Sequence, residues 1–142
     1  MNALLRYRTV LERQQRLCLE RANAVVEGEL EKLRELERAK DEVGQARLRS
    51  LQSGMRAAEL MILSTDALEA AVGIQRAEID RVRGEQERAR SAYTVRRREK
   101  ETVERALERQ QAELSKEMER RAQATMDDAT LQRCARSGRN SL

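Results

Sequence analysis

Residues 79–107 read IDRVRGEQERARSAYTVRRREKETVERAL and carry an apolar-leaning stripe with a seven-residue period that continues to Leu131. A seven-residue period winds helices around one another, so it is typical of a coiled coil rather than of a globular core. Many of its positions are polar, charged or alanine, which indicates weak helix pairing. The stripe comprises Ile79, Gln86, Tyr93, Lys100, Leu107, Leu114, Arg121 and Asp128, and Val82, Ala89, Arg96, Val103, Gln110, Glu117, Ala124 and Leu131.

The composition argues against an enzyme. The 142 residues include no His, Pro, Trp or Phe, and 38% are charged while 1% are aromatic. Catalytic triads and metal sites that need His are therefore excluded, and no CxxC, GxxxxGK[ST] or GxGxxG motif occurs. We predict no catalytic, cofactor-binding or metal-binding residues. High charge also suits disorder, but here the apolar positions are periodic and the charges alternate in sign.

Targeting and redox signals point to a reduced cytoplasmic protein. No run approaches the ~20 apolar residues of a membrane span, and the Arg-rich start does not resemble a signal peptide. The two cysteines, Cys18 and Cys134, are too few and too far apart for a disulfide framework. Cys18 is predicted to pack on the apolar stripe of the first helix.

The sequence predicts an all-α fold, a two-helix antiparallel coiled-coil hairpin spanning residues 1–136 as one unit. Helix one should span about 2–51, a turn about 52–56 and helix two about 57–136, with a disordered tail at 137–142. Gly54 is placed to end helix one in a left-handed conformation. An N-cap at Ser64-Thr65-Asp66 offers an alternative break. At 1.5 Å per residue the helices measure ~75 and ~120 Å, so helix two should overhang.

The stripe of helix one is predicted to change register. The step from its first part to its second spans eleven residues, a stutter that locally unwinds a supercoil, with Leu30 and Leu33 bridging it. With a turn near residue 54, Leu36 should face the region of residue 73 and Leu11 that of residue 98. The predicted stripe is Leu4, Tyr7, Leu11, Gln14, Cys18, Arg21 and Val25, followed by Leu36, Ala39, Val43, Ala46 and Ser50.

The charge is polarised along the hairpin. Residues 26–80 hold 8 basic and 12 acidic side chains, whereas the remainder has a net charge of +8. The run 96–100 (RRREK) is interrupted by acids nearby and has no aromatic residues to stack bases. It suits a solvated face, an acidic protein partner or, least well, nucleic acid. The run 60–63 (LMIL) covers every face of a helix and suits either thick packing at the tip or a docking patch.

Three stretches together resemble the flagellar export protein FliJ family and its injectisome counterparts. They are Ala58–Leu60 continuing through Leu68–Gln75, then Arg97–Lys100, and finally Thr125–Arg133, which is similar to the family's closing E-L-D-E-L-A-L-Q-R pattern. The opening Leu4–Arg8 also matches a common family start.

The resemblance implies a non-enzymatic stalk of the type III export apparatus, cytoplasmic and peripherally attached to the inner membrane at the flagellar base. Its implied partners are the export ATPase hexamer, the cytoplasmic domain of the membrane export gate, and export chaperones. No cofactor, specific nucleic acid or membrane span is implied. The ATPase-facing residues would be Arg97, Arg98, Lys100, Met126, Asp127, Gln132 and Arg133. The gate-facing residues would be Leu68, Ala71 and Gln75, on a surface where family members often carry aromatic residues that this chain lacks.

Other interpretations remain open at this point. An injectisome stalk has the same pattern, and a rotary-ATPase stalk is similar although such chains are usually longer. A basic coiled coil that associates with nucleic acid would show steep salt dependence. A homodimeric cytoskeletal coiled coil would sediment at twice the mass of a monomeric hairpin.

Overall fold

The chain forms two long antiparallel helices in the computed structural model. The structure describes residues 3–51 and 54–139, and within these ranges it leaves out the side chains of 55–58, 60, 61, 138 and 139. Helix α1 is Ala3–Ser50 and helix α2 is Met55–Arg139. The all-α hairpin with a longer second helix is therefore confirmed. Because α2 continues to Arg139, residues 137–139 are helical and not a tail, while 140–142 lie outside the described residues.

Gly54 separates the two helices. Its φ of 123° lies in a region that side chains disfavour and glycine tolerates, and it directly precedes Met55, the first residue of α2, whereas α1 already ends at Ser50. The last turn of α1 closes with a 3.1 Å hydrogen bond from the Leu51 N–H to the Arg47 carbonyl. The alternative break at 64–66 is not used, since α2 runs through it. Residues 52 and 53 of the predicted turn lie outside the described residues.

The heptad stripe of α2 faces α1 as predicted. Ile79 and Val82 are buried, and the later stripe positions are half-buried as far as Leu107. Cross-helix contacts fix the alignment: Gln75 reaches Glu29, and Arg8 reaches Glu99. We call the surface between the two helices the seam. Its alignment agrees with a turn centred near residue 54.

The predicted stripe of α1 is wrong in its first half. The side chains there that turn towards α2 lie one residue later, in an unbroken heptad without a stutter. Cys18, predicted to be packed, is exposed, and so are Leu4, Tyr7 and Val25. The observed seam positions of α1 are Leu5, Arg8, Glu12, Gln15, Leu19, Ala22, Val26, Glu29, Leu33, Leu36, Lys40, Val43, Arg47 and Ser50.

The cause of this register is the small apolar core, which comprises Val26, Val72, Ile79 and Val82. Val26 must face α2 to fill it. An unbroken seven-residue period then carries the same helix face through Leu19 and Ala22 to Leu5, because a stutter would locally unwind the supercoil. The more apolar residues of the first three heptads are thereby left on an outer face.

Candidate functional site

The open half of the hairpin, residues 5–25 of α1 with 83–107 of α2, is held by charged groups at seam positions. The Arg8 Nη1 donates to Glu99 Oε2 at 2.6 Å, and Arg96 Nη1 donates to the same oxygen at 3.0 Å. One step further along, Lys100 Nζ lies 3.6 Å from Glu12 Oε2. These side chains are half-buried, so the pairs act in a partly dehydrated environment.

The predicted basic run divides into two kinds of residue. Arg97 and Arg98 point to solvent, and Arg97 Nε donates to Glu101 on its own helix at 2.9 Å. Lys100 instead belongs to the seam, because it also lies 3.8 Å from Glu104 and is flanked by Glu12 on α1. Arg97 and Arg98 are therefore open to a partner, whereas Lys100 holds the helices together.

The overhang, which we define as residues 108–139, projects past the start of α1. Every side chain from 108 to 137 is exposed. Its polar contacts are within the helix: Arg121 pairs with Glu117, and Gln123 Nε2 donates to Asp127 at 2.9 Å. An isolated helix of this length in water depends on such pairs and on backbone propensity, so it is marginal by itself.

The overhang carries the rest of the predicted ATPase-facing set. Met126, Gln132 and Arg133 are exposed, and Asp127 is engaged by Gln123 but remains at the surface. Residue 126 lies 26 positions after residue 100 on α2, and each position adds about 1.5 Å along the helix axis. The structure therefore places these four residues well beyond Arg97 and Arg98. The predicted set thus forms two separate patches along one helix.

The predicted gate-facing residues lie at or beside the seam of the closed half, residues 26–50 with 68–82. Leu68, Ala71 and Gln75 are all half-buried. The Gln75 Nε2 donates to the backbone carbonyl of Glu29 at 2.9 Å and to its carboxylate at 2.6 Å. Gln75, and Leu68 seven residues before it on the same helix face, contribute to helix pairing, whereas Ala71 lies beside the seam.

Charged groups surround this gate-facing surface. Lys32 donates a hydrogen bond to the Glu29 carboxylate, and this is the main reason that the pKa of Glu29 lies below its ordinary value of 4.5. A hydrogen bond from Gln75 lowers the pKa further. The Arg81 hydrogen bond likewise lowers the pKa of Glu78. Arg81 is held between Glu78 and Glu85, with distances of 2.5 and 2.7 Å, and both acids raise its pKa. The closed half therefore presents fixed ion pairs around its apolar core.

Sequence reasoning missed one surface, the outer face of α1 near its start. Tyr7 and Val10 are 59% and 53% exposed, and Leu17, Cys18 and Val25 continue the same face. Its signal was visible in the sequence as an apolar pattern, but it was interpreted as the seam. Only the position of Val26 in the core shows that this pattern faces away from α2.

No described helix is long and apolar enough to cross a membrane. Likewise, the described residues contain no group of three or more His, Cys, Asp or Glu that could hold a metal ion.

Comparison with protein families assigns this hairpin to a known family. Residues 1–139 match the family described as the flagellar FliJ protein. The chain belongs to the FliJ family. The resemblance seen in the sequence is thereby confirmed, and with it the assignment to flagellar protein export. No curated protein and no solved structure matches the chain.

Proposed function

We propose that this FliJ-family protein is a non-enzymatic stalk that inserts into the hexameric export ATPase and stimulates it. The observation that carries the proposal is the overhang, a helix exposed along its whole described length that projects from a paired coiled coil. A projecting single helix reaches into a narrow central hole, where a globular end would be excluded. Membership of the flagellar FliJ family supports the proposal, because it assigns the chain to the export apparatus in which the ATPase ring would occur.

Two patches on α2 would contact the ring. Met126, Asp127, Gln132 and Arg133 would lie inside the hole, and Arg97 with Arg98 would lie at its rim. Arginine side chains suit acidic loops because each guanidinium offers several donors in a fixed plane. Lys100 supports this surface indirectly by pairing with Glu12, which fixes the open end of α1 beside the rim patch.

The test is the rate of ATP hydrolysis by the cognate export ATPase with and without this protein, with hexamer formation followed by light scattering. We expect both signals to rise on addition of the protein. Exchanging Arg97→Glu and Arg98→Glu together should abolish the stimulation, and Arg133→Glu should weaken it. Both patches are exposed, so circular dichroism should show an unchanged helix content.

The matched control is Arg49→Glu, an exposed arginine at the closed end of the hairpin. It changes the net charge in the same direction and should leave the stimulation intact. Equal loss in Arg49→Glu would show that overall charge, not the rim patch, governs binding. Full stimulation by the Arg97/Arg98 variant would exclude the proposed rim contact.

The closed half would contact the cytoplasmic domain of the export gate, at the cytoplasmic side of the inner membrane near the flagellar base. Export chaperones would be further partners of the protein. Ala71 is the best-placed probe, because Leu68 and Gln75 also hold the seam. Ala71→Glu should lower co-sedimentation with that gate domain while ATPase stimulation persists. Unchanged co-sedimentation would remove Ala71 from the contact.

A further inference from the structure

A second apolar face runs along the first three heptads of α1, pointing away from the seam. We call it the outer stripe. Its members recur at steps of three and four residues, so they lie on one side of the helix. The outer stripe comprises Tyr7, Val10, Leu11, Gln14, Leu17, Cys18, Arg21, Ala24 and Val25.

The outer stripe is more apolar than the part of the seam behind it. Between residues 5 and 22 the seam presents Arg8, Glu12 and Gln15 to α2, while Tyr7, Val10 and Leu17 remain about half exposed. A contiguous exposed apolar strip on a helix is unusual for a surface that meets only water. The heptad spacing is the one that packs against another helix.

The charges beside the outer stripe indicate which helix. Arg6, Arg13, Glu20 and Glu27 lie seven residues apart, in one row along the edge of the stripe, and all four are exposed. The row reads two positive charges and then two negative charges. If a second copy of this helix runs antiparallel to the first, opposite charges meet along the row. Arg6 would face Glu27 of the second copy, and Arg13 would face its Glu20.

These charges have few partners within the hairpin. Among the described residues, no ion pair is formed by Arg6, Arg13 or Glu27, and Glu20 pairs only with Arg16, four residues away, at 3.1 Å. A row of exposed charges that matches itself only in the antiparallel sense favours a twofold contact, in which the same patch is used on both subunits.

We propose that the outer stripe is a self-association surface, on which a second copy of this chain docks antiparallel through its own outer stripe. Residues 7–25 extend about 27 Å along the helix. The half-exposed side chains and their flanks would bury on the order of 500 Å² per copy, near the lower limit for a specific interface. The dimer should therefore be weak, with a dissociation constant of about 10–100 μM.

This dimer would lie on the open half, at about the level along the rod at which Arg8 meets Glu99. The interface does not depend on the proposed function, because it is tested with the protein alone.

The test is sedimentation velocity of the full chain, at concentrations up to about 0.5 mM, well above the expected dissociation constant. We expect a reversible shift from monomer to dimer. Leu17→Asp should hold the protein monomeric by placing a charge in the apolar contact. The matched control is Leu114→Asp on the overhang, where the wild-type side chain is similarly exposed and the dimer should persist.

The orientation is tested by exchanging charges. Arg6→Glu alone and Glu27→Arg alone should each weaken the dimer about tenfold, because each turns two symmetric attractions into repulsions. The double exchange Arg6→Glu with Glu27→Arg should restore the wild-type affinity. A monomer at all concentrations would overturn the proposal. A dimer that survives Leu17→Asp, or is indifferent to single charge exchange, would equally exclude this interface.

Discussion

The two halves of the hairpin are held by different forces. In the closed half, Val26, Val72, Ile79 and Val82 pack into the buried core. In the open half the equivalent seam positions include Arg8 and Arg96, which both pair with Glu99, and Lys100, which pairs with Glu12. One heptad repeat therefore runs through a region stabilised by apolar burial and a region stabilised by charge.

This difference indicates which half of the hairpin holds the helices together and which half can change partners. Apolar burial contributes about 25 cal/mol per Å² and is not screened by salt, whereas partly exposed ion pairs contribute little and are screened. The closed half should keep the helices together, while the open half can loosen or change partners. The end that bears the overhang is thus also the end with the weakest seam.

The largest effect should come from the core. Ile79 is 3% exposed, and Ile79→Ala should lower the free energy of unfolding by about 2–4 kcal/mol because it leaves a cavity. The measurement is urea unfolding followed by circular dichroism at 222 nm. Ile74→Ala is the control, since Ile74 lies on the same helix but is 73% exposed and should change stability by less than about 0.5 kcal/mol. Similar losses in both variants would contradict the assignment of the core.

A smaller effect is expected in the open half. Glu99 accepts from Arg8 and Arg96, so Glu99→Gln leaves two guanidinium groups without their shared anion. Unfolding at low salt should become easier by about 1 kcal/mol, and the difference from wild type should shrink in about 1 M NaCl.

Glu101→Gln provides the comparison for that variant. Glu101 pairs with Arg97 on its own helix and does not join α1 to α2. Its loss should cost less than the loss of Glu99. If Glu99→Gln behaves like Glu101→Gln, or if salt leaves the difference unchanged, the seam of the open half is not electrostatic.

The smallest effect concerns pH in the closed half. The pKa of Glu29 is lowered by Lys32 and Gln75, so its contribution to stability is present above the ordinary value of 4.5 and is lost as pH falls below it. Glu29→Gln lacks this titration. The stability difference between wild type and this variant should therefore narrow as pH is lowered from about 6 to about 3.

Acid unfolding of both proteins, followed by circular dichroism, measures this. Glu113→Gln makes the same chemical change at an exposed site on the overhang, away from the seam. Its stability difference from wild type should stay constant over the same range. If the difference in stability between wild type and Glu29→Gln widens as pH falls, the predicted direction of the pH effect is wrong.

The stripe of α2 was predictable because it is longer than any competing pattern. Its register from Ile79 to Leu107 agrees with the structure, and so does the antiparallel alignment. Gly54 was identifiable as a break between the helices because glycine adopts positive φ values at little cost, and its φ is 123°. The flagellar family was likewise evident from the order of weak motifs.

The register of early α1 could not be read from the sequence. Two stripes compete there, and the more apolar one, with Leu4, Tyr7 and Val25, is the one that faces away from α2. Local apolarity does not decide between them, because a helix face is selected by what lies opposite. The same error placed Cys18 in the seam, although it is exposed.

The roles of single charged residues were also beyond the sequence. Arg97, Arg98 and Lys100 form one basic run, but only the structure separates two exposed arginines from a lysine tied to Glu12. Adjacent residues on a helix point about 100° apart, so neighbours in sequence serve different surfaces. Site residues on such a rod are assigned by face rather than by run.

The sequence by itself determined two helices, one turn, a seven-residue period and a polarised charge distribution, because these depend on local propensity and spacing. The tertiary structure decided which of two apolar stripes became the seam and which remained outside. The physical reason is that Val26, buried with Val72, Ile79 and Val82 in the closed half, fixes the rotation of α1, and a stiff helix transmits that rotation along its whole length.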